Sequence, residues 1–262
     1  MQRFLFRKMH EMNATQPSTL PPTLDPLYLA ATSLCTYAGS QALTNASGFF
    51  FQREGRLYLV TSRHVVVDEP NGHHPDRLEV VIHTHPRDLT RYILFSMPLY
   101  ARGVALWRQG QDGGGDIDVA VLQLDRSCLP DEAVIVAFTP EHLATSYESV
   151  PADAALRIAG FPLGFRDTVH QLPVLRQAAV ASPYGIRFQG KGLFLTDART
   201  HRGTSGAPVV MRPPCQFGHD LNWWLLGVHS ARMDMGNRDR DQDESLGLNC
   251  AWYAQILMTL TQ

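Results

Sequence analysis

The chain has 262 residues, of which 44% are hydrophobic and 18% are charged, and its formal net charge at pH 7 is −2. This length and apolar content can bury a full core, since all-β folds of roughly 200–250 residues often form one unit. The near-neutral charge argues against the basic surface that nucleic-acid-binding proteins carry. No apolar run reaches the roughly 18 residues of a transmembrane helix. We therefore expect neither nucleic acid nor a membrane among its partners.

Polar and proline-rich sequence fills residues 1–28, so we expect a flexible tail there rather than a packed element. The start lacks the apolar core and the small-residue cleavage site of a signal peptide, which favours a cytoplasmic protein. No C-x-x-C pair occurs among the cysteines, which are Cys35, Cys128, Cys215 and Cys250. This scatter argues against a disulfide framework or a zinc site, so we expect no metal and no other cofactor. The oligomeric state stays open.

Beyond the tail, short runs of β-branched and aromatic residues recur at close spacing, with turn-forming clusters such as 71–72 (NG) and 113–115 (GGG) between them. The predicted strands are 47–52, 57–61, 78–83, 119–124, 156–159, 174–181, 192–196, 207–211 and 223–230. Many short strands with this punctuation predict an all-β barrel or sandwich. Residues 251–260 carry apolar side chains at helical spacing, which predicts a C-terminal helix, and residues 140–149 predict a helical turn between two β-halves.

Three short motifs supply a histidine, an aspartate and a serine, each beside a predicted strand. His64 follows one strand, Asp118 directly precedes another, and Ser205 stands in the segment 203–208 (GTSGAP). A serine hydroxyl is a weak nucleophile until a base takes its proton, and imidazole suits that task near neutral pH. A carboxylate then fixes the imidazole tautomer and stabilises its cation. Gly203 frees the backbone, so that its own N–H and that of Ser205 can point at one spot, where an oxyanion would form.

Together these motifs resemble the chymotrypsin superfamily of serine peptidases, and within it the bacterial trypsin-like, HtrA-type and glutamyl-endopeptidase branches. The order His, Asp, Ser along the chain is that of the family. Further segments similar to family members are 47–50 (SGFF), 159–164 (AGFPLG) and 226–230 (LGVHS). No PDZ domain and no Ile-Val-Gly-Gly start are recognisable, so HtrA-type regulation and trypsin-like zymogen activation are not implied.

The resemblance implies an all-β fold of two six-stranded antiparallel β-barrels with a C-terminal helix. Residues 29–140 would form the N-terminal barrel, which carries His64 and Asp118. Residues 141–262 would form the C-terminal barrel, which carries Ser205 and the specificity pocket. The three side chains would then meet as a catalytic triad in the cleft between the barrels.

Asp116 competes with Asp118 as the acid of the triad, because both stand between a glycine-rich turn and an apolar strand. The family spacing, with the acid directly before the apolar strand, favours Asp118. The residue type alone does not separate the two, since an aspartate after a glycine turn is commonly a turn residue.

The resemblance also suggests which residues set specificity for P1, the residue before the scissile bond. Glutamyl endopeptidases place a Thr and a His where this chain has Thr200 and His229, and both side chains can hydrogen-bond a carboxylate or an amide oxygen. Arg199 stands where a trypsin-like pocket needs an acid, and Ser230 and Ala231 would continue the pocket wall. We expect cleavage after Glu, with Gln as the lesser candidate. The alternative is that His229 only hydrogen-bonds inside the barrel and Thr200 is a turn residue.

We therefore expect a serine endopeptidase that forms an acyl-enzyme with polypeptide substrates. Two other functions stay open, namely a catalytically silent peptide-binding module on the same fold and an esterase with the same triad. An α/β-hydrolase is disfavoured because Ala207 breaks the G-x-S-x-G pattern. Metal sites are disfavoured too, because 73–74 (HH) and 83–85 (HTH) lack acidic or cysteine partners, and 239–243 (DRDQD) is not followed by the Gly and Glu of a calcium loop.

Overall fold

The computed structural model of the protein describes residues 24–144, 146–214, 218, 220–234 and 245–262. Most of the predicted tail, residues 1–23, and the aspartate-rich segment 239–243 lie outside the described residues. None of the helices in these ranges is long and apolar enough to cross a membrane.

The N-terminal half is built from antiparallel strands. They are β1 (Ala31–Ala38), β2 (Gln41–Arg53), β3 (Arg56–Thr61), β4 (Arg77–His83), β5 (Tyr92–Pro98), β6 (Tyr100–Ala101), β7 (Val104–Ala105), β8 (Trp107–Asp112) and β9 (Gly115–Leu124). A seven-stranded sheet has the order β5-β4-β1-β2-β3-β9-β8, while β6 and β7 pair with each other. The four strands predicted in this half all lie within β2, β3, β4 and β9.

This sheet differs from the closed six-stranded barrel that the resemblance implied, because β5 and β8 are both edge strands in the described part of the chain. The chain between them turns outward as the β6–β7 hairpin, at whose base Leu106 N–H donates to Leu99 O (2.9 Å). The sheet nevertheless curls, since β5 lines an apolar cleft together with Leu122 and Leu124 of β9. The barrel-like curvature is kept without hydrogen-bonded closure.

The C-terminal half is a closed six-stranded antiparallel barrel, as predicted. Its strands are β10 (Ala155–Gly160), β11 (Val174–Val180), β12 (Leu193–Asp197), β13 (Pro208–Met211), β14 (Trp224–Met233) and β15 (Leu248–Tyr253). Around the barrel they follow the order β10-β11-β12-β15-β14-β13. Only β15 was not predicted, because part of its sequence was assigned to the C-terminal helix.

The helices are short: α1 (Leu27–Ala30), α2 (Arg63–Val66) and α3 (Leu257–Leu260). The C-terminal helix is present, but the prediction that it begins at residue 251 is wrong. Trp252 lies opposite Leu193 of β12 and Val228 of β14, so its burial comes from sheet pairing rather than from a helix face. Between the halves, 3-10 turns at Pro140–His142 and Tyr147–Ser149 match the predicted helical turn.

Each end of the described chain packs on the opposite half of the molecule. Near the C-terminus, Thr261 O accepts a hydrogen bond from Tyr58 Oη of the N-terminal half (3.1 Å). Near the N-terminus, Leu27 is completely buried, and Asp25 Oδ1 accepts a hydrogen bond from Trp223 Nε1 of the C-terminal half (2.9 Å). The packed body therefore begins before residue 28, the predicted end of the tail, and the two halves exchange their end segments.

One hydrophobic cluster joins the two halves. Phe49 and Phe51 of β2 pack into this cluster, while Phe50 between them packs into the core of the N-terminal half. From the other half, Val228 and Trp252 enter the same cluster. Complete burial of one such side chain contributes about 1.5–3 kcal/mol. The segments that carry the predicted triad therefore flank one continuous core.

Candidate active site

A short helix holds His64 beside Asp118. α2 begins just after β3, and its residues Val65 and Val66 are buried, while the His64 side chain remains 36% exposed. Because β3 pairs with β9, Asp118 lies next to this turn. The backbone N–H of His64 donates to Asp118 Oδ1 (2.8 Å), and ring Nδ1 donates to Oδ2 (2.7 Å). One carboxylate therefore fixes both the backbone position and the ring orientation of His64.

The two groups shift each other's pKa in opposite directions. Burial alone would lower the pKa of His64, but the hydrogen bond to Asp118 and its charge outweigh burial, so the pKa lies above 6.5. Burial alone would raise the pKa of Asp118, but the hydrogen bond and charge of His64, with a hydrogen bond from Ser230, bring it below 3.8. Asp118 is therefore ionised at neutral pH, and His64 is a stronger base than an unperturbed imidazole.

The competing aspartate, Asp116, lies elsewhere on the hairpin. It is exposed, and its Oδ1 accepts a hydrogen bond from Gln111 Nε2 on β8 (2.6 Å). Gln111 and Asp116 are paired in the β8–β9 ladder, close to the turn that joins these strands. The structure thus brings Asp118, and not Asp116, to His64.

A second serine links the aspartate to the predicted nucleophile. Ser230 Oγ donates to Asp118 Oδ2, and the Ser230 carbonyl accepts a hydrogen bond from Ser205 Oγ (2.9 Å). The Ser205 hydroxyl therefore points at Ser230, and in the described structure no hydrogen bond joins it to His64. We predicted that Ser230 lines the specificity pocket. Side chains alternate along a strand, so Ser230 faces Asp118 while its neighbour His229 faces the barrel interior.

The backbone around Gly203 is fixed on both sides. Its φ is +88°, and a Cβ there would lie 2.6 Å from Phe161 O, so glycine is required. Arg202 O accepts a hydrogen bond from Leu163 N–H (2.6 Å). Because the C=O and N–H of a trans peptide point in opposite directions, the Gly203 N–H points away from Leu163. On the other side, Gly203 O accepts a hydrogen bond from Ser47 Oγ (2.7 Å).

The predicted oxyanion-hole donors are available. Within the described ranges, neither the Gly203 N–H nor the Ser205 N–H donates to another residue. Gly206 has a φ of +86°, and a Cβ there would collide with Ser47 O and the Thr61 hydroxyl. The fold thus requires glycine on both sides of the serine, and it leaves two N–H groups next to the hydroxyl for an anion to accept.

The other predicted specificity residues fall into two groups. Arg199 and Thr200 line one open cleft, where Arg199 is exposed and Thr200 is buried. His229 is buried on β14, and Ala231 is exposed on the same strand. Arg199 and Thr200 therefore both border this cleft, whereas His229 approaches Thr200 from inside the barrel.

Asn249, which the sequence analysis missed, connects these groups. Thr200 Oγ1 donates to Asn249 Oδ1, and Asn249 Nδ2 donates to Ala198 O (2.8 Å). On β15, Asn249 and Ala251 point to the same face, and Ala251 lies opposite His229. The side chains of His229, Asn249 and Thr200 therefore share one interior end of the barrel. The only signal in the sequence was a polar residue inside an apolar run.

Burial keeps His229 neutral. Its side chain is almost completely buried, and no hydrogen bond from a described residue reaches its ring Nδ1. Burial and then the charge of His64 lower the pKa of His229 to about 4, against an opposing effect of Asp118. A buried polar atom without a partner is costly, so a polar atom of a bound ligand would stabilise this site.

Three of the four histidines in the segments 73–74 and 83–85, which we considered as metal ligands, bond to other described residues. His83 Nε2 donates to His170 O (2.7 Å), His73 Nε2 donates to Val65 O (3.0 Å), and His85 Nδ1 accepts from a backbone N–H (2.8 Å). In the part of the chain that the structure describes, no group of three or more His, Cys, Asp or Glu side chains is placed to hold a metal ion.

A comparison with models of known protein families identifies the family of this chain. The family model of the trypsin-like peptidase domain matches residues 46–212, which is more than half of the chain. The chain belongs to this family. The matched part of the trypsin-like peptidase domain contains His64, Asp118 and Ser205 and ends before β14. Membership supports its assignment as a serine-type endopeptidase.

Two solved proteases share the fold of this trypsin-like domain. The HtrA-type protease AlgW, solved with a tripeptide, matches with a TM-score of 0.54 at 18% identity, over 90% of this chain and 60% of that one. A serine endoprotease from Yersinia pestis matches with a TM-score of 0.52 at 16% identity, over 92% of this chain and 66% of that one. The chain thus spans less than two thirds of either protease, and at these identities the likeness shows the fold alone. No curated protein matches the chain in sequence.

Proposed function

We propose that this trypsin-like domain is a serine endopeptidase with Ser205 as nucleophile, His64 as general base and acid, and Asp118 as the carboxylate that stabilises the imidazole. The observation that carries the proposal is the double hydrogen bond from His64 to Asp118, at 2.8 Å and 2.7 Å. It makes Nδ1 the protonated ring nitrogen, so that Nε2 is the one that can accept a proton. The family match supports the same reaction.

In the proposed reaction, the Ser205 hydroxyl first rotates from the Ser230 carbonyl towards His64. Its Oγ attacks the carbonyl carbon of the peptide while its proton passes to His64 Nε2. The oxyanion that forms accepts hydrogen bonds from the N–H groups of Gly203 and Ser205, and one such donor contributes roughly 10²–10³ in rate. His64 then gives the proton to the leaving amine, which leaves an acyl-enzyme. Water attacks the acyl-enzyme by the same steps and restores the hydroxyl.

The test of this function is the set of cleavage sites that the protein produces in a denatured proteome, with Ser205→Ala as the matched control. We expect new peptide termini with the wild-type protein only. The residue that precedes each new N-terminus in the substrate sequence is the P1 residue, so the same data also give the P1 specificity. Equal cleavage by both proteins, or no cleavage by a folded wild-type protein, would contradict the proposal.

For P1 we propose that the protein takes Glu and Gln. The supporting observation is the shared interior end of the barrel, where Nδ1 of the buried His229 ring has no hydrogen-bond partner among the described residues and Asn249 accepts a hydrogen bond from the Thr200 hydroxyl. A carboxylate or amide oxygen at the end of a P1 side chain would supply that partner. Arg199 in the neighbouring cleft adds a positive charge that favours Glu. A strong preference for Lys, Arg or Phe would rule this out.

The P1 proposal predicts a pH-dependent choice between Glu and Gln. His229 is neutral in the free protein because burial lowers its pKa to about 4, and the charges acting on it are those of His64 and Asp118. A P1 carboxylate beside the ring would raise that pKa and draw a proton, whereas a P1 amide would not. The ratio of kcat/KM for Glu over Gln peptides should therefore rise as pH falls from about 8 to about 6, by at most about tenfold per pH unit.

This ratio is its own control, since titration of His64 changes the rates for both peptides equally and cancels. The measurement needs two peptides that differ only at P1. A ratio that does not change over this pH range would contradict the assigned role of His229.

We expect the Ser230 hydroxyl to contribute to the rate of peptide hydrolysis. We expect Ser230→Ala to lower kcat/KM by about tenfold, because Asp118 loses a charge-assisted hydrogen bond. The acid limb of the pH–rate profile should also move, since the carboxylate that supports His64 has changed. Ser62→Ala is the matched control, because Ser62 is also buried but donates to the His229 carbonyl (3.1 Å). Equal losses in the two variants, with unchanged pH profiles, would assign Ser230 a structural role only.

A further inference from the structure

A buried serine of the N-terminal half contacts the serine loop, residues 203–206, which carries the nucleophile. Ser47 lies on β2 and is completely buried. Each of its three polar groups has a hydrogen-bond partner outside β2. The N–H donates to Ser205 O (2.9 Å), the hydroxyl donates to Gly203 O (2.7 Å), and the carbonyl accepts from the Thr61 hydroxyl (2.8 Å). Ser47 therefore joins the serine loop of one half to β3 of the other.

Ser47 holds this loop on both sides of the nucleophile. Its hydroxyl bonds the peptide group that follows Gly203, and its N–H bonds the peptide group that follows Ser205. The carbonyl on the other side of Gly203, that of Arg202, accepts from Leu163 N–H (2.6 Å). Both peptide groups that flank Gly203 are thus fixed. Since a peptide group is planar, this also fixes the direction of the Gly203 N–H.

The Ser47 hydroxyl has a second partner, because its oxygen accepts a hydrogen bond from Phe161 N–H (3.0 Å). A hydroxyl carries one proton, and an N–H can only donate, so the proton of Ser47 lies towards Gly203 O. Gly203 and Phe161 are both buried. Without the hydroxyl, a buried carbonyl and a buried N–H would lose this partner, which is costly. The peptide after Gly203 would turn to reduce that cost, and the two oxyanion-hole donors would no longer converge.

Two glycines make room for Ser47. A Cβ at Gly160 would lie 2.9 Å from the Ser47 hydroxyl oxygen, and a Cβ at Gly206 would collide with the Ser47 carbonyl oxygen. Any larger residue at either position would therefore displace Ser47 or the serine loop. Because interiors are packed this closely, the hydroxyl has little freedom to leave the place between Phe161 and Gly203.

We propose that Ser47 is a positioning residue for the oxyanion hole, and that its hydroxyl keeps the N–H groups of Gly203 and Ser205 aimed at one point. The proposal rests on the proposed endopeptidase function and deepens it. Because Ser47 is completely buried, it acts through the serine loop rather than on the substrate. Its partner Thr61 ends β3, directly before the turn that carries His64. Ser47 thus also ties the loop of the nucleophile to the element that carries the base.

The test compares wild type and Ser47→Ala with the peptide that the wild-type protein cleaves best, and with the boronic acid analogue of that peptide. The boronic acid forms a tetrahedral adduct with Ser205, which needs the oxyanion hole. We expect kcat to fall at least about tenfold, towards the roughly 10²–10³ that a lost donor costs, while KM changes by less than about threefold. Ki of the boronic acid should rise by the factor by which kcat/KM falls, because both report binding of the tetrahedral state.

Tyr58→Phe is the matched control for a lost buried hydroxyl between the two halves. Tyr58 is also completely buried, and its hydroxyl donates to Thr261 O (3.1 Å), away from the serine loop. This variant should keep kcat and the Ki of the boronic acid within about twofold of wild type. Melting temperatures show that each variant is folded. If Ser47→Ala does not fold, Gly160→Ala takes its place, because the added methyl group would displace the hydroxyl from Gly203 O.

The outcomes separate this inference from the function on which it depends. Parallel losses of kcat and of boronic acid binding in Ser47→Ala, without such losses in Tyr58→Phe, support the positioning role. Three results overturn that role alone, namely a kcat within about threefold of wild type, a fall in kcat that boronic acid binding does not follow, or an equal loss in Tyr58→Phe. The same criteria apply to Gly160→Ala. A folded wild-type protein that hydrolyses no peptide overturns the endopeptidase function together with the role of Ser47.

Discussion

Ser205→Ala should reduce peptide hydrolysis by at least about 10⁴-fold while the protein remains folded. The substitution removes the oxygen that attacks the scissile bond. Among the described residues, the Ser205 side chain bonds only to the Ser230 carbonyl, and the bond from Ser47 N–H to the Ser205 carbonyl (2.9 Å) does not need the hydroxyl. The measurement is kcat/KM with an internally quenched peptide, together with the melting temperature.

The matched control for this variant is Ser127→Ala. Ser127 lies in the turn Arg126–Cys128, where its hydroxyl donates to Asp125 Oδ1 (2.7 Å), outside the candidate site. It should keep wild-type activity. A Ser205→Ala protein that retains more than about 1% of wild-type turnover would show that another nucleophile does the chemistry.

Asp118→Asn should cost roughly 10⁴-fold in kcat at neutral pH. The amide oxygen can still accept from the His64 backbone N–H, so the turn should keep its position. The amide has no charge to stabilise the imidazolium. Its NH₂ group cannot accept a hydrogen bond from the Nδ1–H of the ring, so His64 is left in the wrong tautomer. The measurement is kcat across a pH series with the same quenched peptide.

Asp116→Asn is the matched control, because both aspartates lie on β9 and both were candidates for the acid of the triad in the sequence analysis. Asp116 is exposed and bonds to Gln111 instead of His64, so its variant should remain within about twofold of wild type. A larger loss for Asp116→Asn than for Asp118→Asn would reverse the assignment of the acid.

The serine motif was predictable from the sequence because its constraints are local. Gly203 and Gly206 both have positive φ and no room for a Cβ, and such positions are visible as glycines in the sequence. The strand at Phe49–Phe51 was predictable for a related reason. It is buried on both faces by the two clusters, which requires a continuous apolar run.

Other elements could not be predicted, because distant contacts satisfy their polar groups. β1 reads as polar, yet Thr32 is buried because its hydroxyl donates to Val81 O (2.8 Å), and Thr36 is buried because its hydroxyl bonds that of Thr44 (2.9 Å). The pattern of the apolar run that begins at residue 251 fits a helix or a strand equally well. Pairing with β12 and β14 makes its first residues part of a strand. These choices depend on the folded barrel rather than on the local sequence.

The same reason explains why the sequence assigned Ser230 to the specificity pocket instead of to Asp118, and why it gave no role to Asn249. Ser230 acquires its role only because β14 places its hydroxyl on Asp118, and Asn249 acquires its role only because β15 pairs with β12 and so brings Asn249 to Thr200, just after the end of β12. Neither residue belongs to a motif of the triad. Residue type and spacing therefore predicted the chemical groups, while the side chains that position them required the structure.

The central claim is that His64 and Asp118 activate Ser205, and reaction with a fluorophosphonate probe tests it most directly. We predict that the folded protein is labelled at Ser205, as mapped by peptide mass spectrometry, and that the labelling rate falls as pH drops through the raised pKa of His64, because only the neutral imidazole accepts the proton. A folded protein that is not labelled, or that is labelled at another residue, would contradict the claim. The former result would favour a silent peptide-binding module.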